Sequence, residues 1–150
     1  AIKENDKYYA YTDNGREYTG IDVFEWAKKV EDLGAGEILI TSVDKEGTGE
    51  GFDLNLVNKI SKCVNIPVIA HGGAGSTNDI VELINSTNCD AVNLSSIFHY
   101  DYIDNNNSDV SIYEGNSEFL KNKRKFKNLD SCRIIDVKKK LIENNIECRI

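Results

Sequence analysis

Gly34-Ala35-Gly36-Glu37-Ile38-Leu39-Ile40-Thr41-Ser42-Val43-Asp44-Lys45-Glu46-Gly47-Thr48 is the stretch that decides the fold of this 150-residue chain. Its middle, Glu37–Val43, is a nearly continuous apolar run, as expected of a strand buried on both faces. The short loop Asp44-Lys45-Glu46-Gly47-Thr48 follows it. The same order recurs twice: His71-Gly72-Gly73-Ala74-Gly75 follows the run Pro67–Ala70, and Ser95-Ser96 follows Ala91–Leu94. Each loop leads towards a helix-like segment, so N–H groups of the loop and first turn can converge on an anion while acidic side chains at a strand end face it.

The segments between these loops have helical periodicity. Asp22-x-x-Glu25 starts one helix in the manner of a capping box, with Val23, Trp26, Ala27, Val30 and Leu33 on one face before Gly34 stops it. Asp53 can cap a second, carrying Leu56, Val57, Ile60 and Val64, and Thr77 a third, carrying Ile80, Val81 and Ile84. Strand and helix alternate at the length of a βα unit, which predicts α/β architecture with parallel strands. Three such units are too few to close an eight-stranded barrel. Upstream, Tyr8–Thr12 and Glu17–Thr19 flank Asp13-Asn14-Gly15 and read as a β-hairpin. Downstream, Asp101–Cys132 is polar, with the basic stretch Lys121–Lys127, and reads as an inserted, partly helical surface excursion whose basic residues form a contact patch or simply a solvated helix face. A closing helix over about Ile134–Glu143 puts Ile134, Val137 and Leu141 on one side. The expected organisation is residues 1–20 as strand end plus hairpin, 21–100 as βα units, 101–132 as insertion and 133–150 as closing helix and tail.

Composition narrows the function classes. A net charge of −7 argues against a protein that coats nucleic acid, a task that needs a positive surface to displace counterions from phosphates. A local cluster of N–H donors still suits a small phosphorylated substrate. Cys63, Cys89, Cys132 and Cys148 show no metal-ligand spacing and read as reduced thiols of a cytoplasmic protein. No apolar run approaches a membrane span. The absence of any Met suggests a processed or excised piece of a longer chain.

The loops themselves bear chemistry. The Gly72-Gly73 pair lets backbone approach an anion closely or simply makes a tight turn, and Ser95 and Ser96 add hydroxyl and N–H donors. On a continued strand Asp44 and Glu46, two apart, point the same way and can divide acid and base roles; alternatively Asp44 satisfies loop N–H groups and Glu46 is solvated. His71 can bring a charge or proton to the pocket or merely narrow it. His99, after Phe98, reads as a packing residue.

Taken in order, the stretch 34–48, Ile66-Pro67-Val68-Ile69-Ala70-His71-Gly72-Gly73-Ala74-Gly75 and Ser96-Ile97-Phe98-His99 closely resemble the C-terminal half of the cyclase subunit of imidazole glycerol phosphate synthase. The resemblance covers about Tyr8–Tyr100 and the closing segment near Ile135–Ile150. It implies a (β/α)₈ TIM barrel of two similar half-barrels, each with a phosphate site, of which this chain carries about strands 5/6 to 8; Ala1-Ile2-Lys3 would be the last trace of the fifth. It implies a glutaminase partner that feeds ammonia through the barrel to a phosphoribulosyl-formimino aminoimidazole carboxamide ribonucleotide, and it implies no cofactor and no metal. Gly72, Gly73, Ser95 and Ser96 match the positions that hold the substrate phosphate. Thr41, Gly47 and His71 match pocket positions, and Glu46 falls where the family has a catalytic aspartate. Here Glu46 extends that carboxyl by a methylene, and His71 replaces a small residue, commonly Ser. The family's first-strand aspartate and its N-terminal phosphate loop have no counterpart in this sequence. Three readings follow: the cyclase of histidine synthesis; a divergent copy associated with ammonia-dependent amidation of bacterial surface sugars; or a non-catalytic phosphate-binding half-barrel that pairs with another half or with itself.

Overall fold

The computed structural model describes residues 1–105 and 129–149. Two three-stranded sheets organise them. The first is an antiparallel meander of β1 (Ile2–Glu4), β2 (Lys7–Thr12) and β3 (Glu17–Asp22). Its turns are built from residues that tolerate left-handed backbone: Asn5 and Asp6 at φ 47° and 63°, then Asp13, Asn14 and Gly15 at 48°, 54° and 81°. The predicted hairpin is thus present, and a third strand, Ile2–Glu4, lengthens it. Tyr8 is buried and ties this sheet to the rest, its hydroxyl donating to both carboxylate oxygens of Asp53 (3.0 and 2.9 Å).

The second sheet founds the fold. β4 (Ile38–Thr41), β5 (Val68–His71) and β6 (Ala91–Asn93) lie parallel, with Leu39 opposite Ile69 and Ile69 opposite Ala91, then Thr41 opposite His71 and His71 opposite Asn93. Ala1 continues this pattern at the β4 edge: its amine donates to the Thr41 carbonyl at 2.7 Å and its carbonyl accepts from Val43 N–H at 2.9 Å. That bracket around Ser42 is the bonding of a parallel neighbour. β4 is shorter than its apolar run, because the Lys45 and Glu46 amides both donate to the Ser42 carbonyl (3.2 and 2.9 Å) and curl the chain into a helical turn.

Five helices complete the described residues: α1 (Val23–Asp32), α2 (Leu54–Cys63), α3 (Thr77–Ser86), α4 (Ser96–Asn105) and α5 (Ile134–Glu143). Asp22 caps α1 by accepting from Phe24 N–H at 2.9 Å, and Asp53 caps α2 through Leu56 N–H at 3.0 Å. For α3 the cap is Ser76, in a capping box with Asp79, and the predicted Thr77 is the first helical residue instead. α2 packs on β5 and between α1 and α3, and α5 packs on α3, so that a helical layer covers one face of the parallel sheet. Leu56, Ile60, Ile80, Leu83 and Ile97 are wholly buried there against Ile40, Val68 and Ala70. The architecture is a partial (β/α) barrel, matching the C-terminal half of the complete fold.

Some predicted core positions lie outside it. On α1 only Val23 and Ala27 are buried, whereas Trp26 is 39% and Leu33 74% exposed. On α5 Val137 and Leu141 pack inward, with Ile134 on the surface. α4 runs on to Asn105, past the expected start of the polar excursion at Asp101; residues 106–128 of that excursion, including Lys121–Lys127, lie outside the described residues. Where the chain resumes it is stitched back by two bonds, Asp130 N–H to the Gly75 carbonyl (2.7 Å) and Cys132 N–H to the Ile97 carbonyl (3.2 Å). All four cysteines are unpaired, and burial pushes the thiols of Cys63 and Cys89 upward and that of Cys132 to about 11. Thiols so protonated are poor nucleophiles.

Truncating Leu56 to Ala in this packed layer lowers the unfolding free energy by about 2–5 kcal/mol in urea titration. Ile134→Ala, on the exposed side of α5, changes it by roughly 0.5 kcal/mol or less.

Candidate functional site

Three strands that end level bring three loops together at the C-terminal edge of the parallel sheet. Side chains alternate along a strand. Ile40, Val68 and Ala70 therefore point at the helices, while the rows Leu39, Ile69, Ala91 and Thr41, His71, Asn93 face away from them. Beyond the second row lies a cavity of about 190 Å³ lined by Glu46 and Gly47 from the first loop, by His71, Gly72, Gly73 and Ala74 from the second, and by the Asn93–Ile97 stretch. Glu46, Gly47, His71, Gly72, Gly73, Ser95 and Ser96, all expected at one site, are thus gathered at one.

The glycines are fixed by backbone geometry first. Gly72 and Gly73 have φ of 94° and 110°, in the left-handed region. A Cβ on Gly72 would stand 2.6 Å from the Ser42 carbonyl oxygen, and one on Gly73 only 2.2 Å from that of Gly51. Gly51 N–H in turn donates to the Gly73 carbonyl at 2.8 Å, clipping the first loop onto the second. The pair therefore makes a close approach to neighbouring backbone as well as shaping the cavity wall.

At the third loop, Ser95 precedes α4 and its carbonyl accepts from Phe98 and His99 N–H (3.1 and 3.0 Å). Ser96 opens the helix, in the first turn, where amides lack intrahelical acceptors and the helix dipole favours an anion. At the second loop Asp79 accepts from Gly75 and Ser76 N–H (2.9 and 2.7 Å), holding the loop to the start of α3.

The acidic pair separates. Because Ser42–Glu46 forms a helical turn rather than an extended strand, residues two apart point in different directions. Glu46 lines the cavity; Asp44 lines a different hollow, with Lys3, Tyr8 and Asp53, and its Oδ2 accepts from Lys3 N–H at 2.8 Å. The continued-strand expectation for the two carboxylates does not hold. Thr41 stands beside the cavity rather than in it, its Oγ1 3.2 Å from His71 Nδ1. His99 is exposed, its ring edge-on to Tyr100 at 5.5 Å, so it does not pack the barrel end.

Sequence reading missed Asn93. Its signal was available in register: it ends its strand as Thr41 and His71 end theirs, and so shares their face. Among the described residues no group of three or more His, Cys, Asp or Glu is placed to hold a metal, and no helix is long and apolar enough to cross a membrane.

Comparison with known proteins gives one answer. Residues 1–104 match the family described as "Histidine biosynthesis protein". "Imidazole glycerol phosphate synthase subunit HisF" of Lactococcus lactis subsp. cremoris is 46% identical over 123 residues, covering 82% of this chain and 45% of the relative. The protein of the same name from Prochlorococcus marinus is 51% identical over 98 residues, 65% of this chain and 38% of the relative, and that from Bacillus cereus is 54% identical over 95 residues, 63% and 38%. The chain spans less than half the length of these relatives. With a half-barrel architecture and a family match across more than two thirds of its residues, this chain belongs to the histidine biosynthesis protein family and is homologous to the HisF cyclase subunit of imidazole glycerol phosphate synthase.

Proposed function

We propose that the chain supplies the second phosphate pocket, and one acid/base carboxylate, of a cyclase that forms imidazole glycerol phosphate. The observation that carries this is the convergence of Gly72-Gly73, Ser95, Ser96 and Glu46 on one small cavity at the strand ends. Its relatives bear the name of a synthase whose product ends in a phosphate. A glycine turn and the first turn of a helix supply donors and a positive dipole end to such a group. The phosphate anchors one end of the substrate, a phosphoribulosyl-formimino aminoimidazole carboxamide ribonucleotide. Ammonia released by a glutaminase partner joins it, and the products are imidazole glycerol phosphate and aminoimidazole carboxamide ribonucleotide.

Glu46 is the carboxylate favoured for proton transfer, because it lines the cavity, while the Asp44 carboxylate is engaged with the Lys3 amide. Cyclisation needs protons both removed and delivered as ammonia adds and the ring closes, so one carboxyl alone does not complete the cycle. The second is expected from the other half of the barrel. Thr41 then serves by holding the His71 ring, and Gly47 by turning the loop after Glu46.

Two measurements test this. Calorimetric titration with glycerol phosphate is expected to show binding that the double substitution Ser95→Ala, Ser96→Ala weakens about tenfold or more, the value of one or two hydrogen bonds to a charged group; wild-type affinity in that variant would remove these serines from the phosphate site. In the full-length protein, assayed with the ribulosyl substrate and ammonium salt, Glu46→Gln is expected to lower kcat about a hundredfold or more. An unchanged kcat would assign the proton transfer elsewhere.

A further inference from the structure

We infer that the His71 ring is itself a ligand of the anion in this pocket, and that anion binding there is coupled to uptake of a proton by the imidazole. The inference rests on the phosphate-pocket reading and adds to it the residue that sets charge selectivity and pH response.

Register and hydrogen bonding fix the ring. His71 ends β5 between Thr41 of β4 and Asn93 of β6, with its side chain on the sheet face that looks away from the helices. Thr41 Oγ1 engages Nδ1 at 3.2 Å, and Nε2 has no hydrogen-bond partner among the described residues. The hydroxyl can donate to a neutral ring, which then carries its proton on Nε2, or accept from Nδ1–H once both nitrogens are protonated. In both of these states Nε2 has a proton to offer a ligand, whereas the neutral Nδ1–H tautomer offers none there, and only the doubly protonated ring brings a charge. His71 lines the same cavity as Gly72, Gly73, Ser95 and Ser96.

Charge balance supplies the second, independent argument. Among the described residues the cavity is lined by one acidic side chain, Glu46, and by no Lys or Arg. Lys45, next to it in sequence, pairs through Nζ with Glu50 at 3.4 Å. A phosphoryl dianion placed beside an ionised Glu46 is repelled, and neutral N–H donors offset that only in part. Among the described residues His71 is the one lining side chain able to become a cation. Of the elements flanking its side chain, β4 and β6 contribute the uncharged Thr41 and Asn93, and the loop after β4 contributes Glu46. A bound anion favours the imidazolium, so the anion binds with a proton. Affinity is greatest where the free imidazole is already charged and declines as pH rises through the range in which imidazoles lose that charge.

Sulfate is the probe of choice, because it keeps its charge across this range while phosphate titrates within it. Calorimetry of the full chain with sodium sulfate, in buffers of different ionisation heat between pH 5.5 and 8.5, is expected to show uptake of about one proton and a fall in affinity approaching tenfold per pH unit at the alkaline end. Inorganic phosphate is the second probe, expected to bind the same site. His71→Gln should flatten the sulfate profile and weaken binding at low pH about tenfold or more. His71→Lys should bind sulfate without the slope, and Glu46→Gln should retain it. The chain contains two histidines, so NMR reads the wild type directly: sulfate should move the titration midpoint of one upward and leave that of the exposed His99 in place. A slope that survives in His71→Gln, or two midpoints indifferent to sulfate that nevertheless binds, overturns the inference. Failure of the wild type to bind sulfate or phosphate at any pH removes the phosphate-pocket reading, and the inference with it.

Discussion

The parallel register of three short strands is the constraint on which everything else in the molecule depends. Thr41, His71 and Asn93 stand at one level because Ile38–Thr41, Val68–His71 and Ala91–Asn93 pair without a slip. A slip of one residue would turn Ile40, Val68 and Ala70 away from the helices and bring polar strand ends into the core. The hydrophobic layer beneath the helices therefore enforces the position of the polar groups above it. Stability and site geometry are set by the same alternation of side chains, read on opposite faces of the sheet.

Above the strand ends, backbone touches backbone. The Gly72-Gly73 turn lies against the Ser42 carbonyl and the Gly51 peptide, with a hydrogen bond returning from Gly51 to Gly73. Loops so interlocked cannot reposition independently, and a wall that is already in place before a ligand arrives loses little conformational freedom on binding. The glycines thus earn their positions twice, through left-handed dihedrals and through contact distances no side chain permits. Glu46 begins where this interlock begins, and its placement follows from the helical turn over Ser42–Glu46 rather than from the strand before it.

That turn also marks where sequence reading stopped being sufficient. The βα rhythm, the three loops and the closing helix Ile134–Glu143 were legible because apolar periodicity and capping residues repeat at fixed intervals. The apolar run Glu37–Val43 gave no sign that its last residues curl, since that depends on the amides of Lys45 and Glu46 sharing the Ser42 carbonyl. Asp44 and Glu46 were accordingly expected side by side, and they are not. The strand Ile2–Glu4 was hidden by its shortness, although the Asn5-Asp6 pair that turns it back is a composition suited to left-handed dihedrals. Asn93 was overlooked because its strand is three residues long and only pairing with β5 reveals which way it faces. Trp26 and Leu33 sit on the apolar stripe of α1, but the surface that would cover them is not formed by the described residues.

The two bonds that receive the chain at Asp130 and Cys132 couple the closing helix to the rim of the cavity. They fasten the returning strand of chain to Gly75, beside the cavity, and to Ile97, inside the helix that opens there. A disturbance of the closing helix is therefore carried through backbone hydrogen bonds to residues that adjoin the cavity, without any side chain of that helix reaching it. The far end of the chain is thereby part of the support of the strand-end loops.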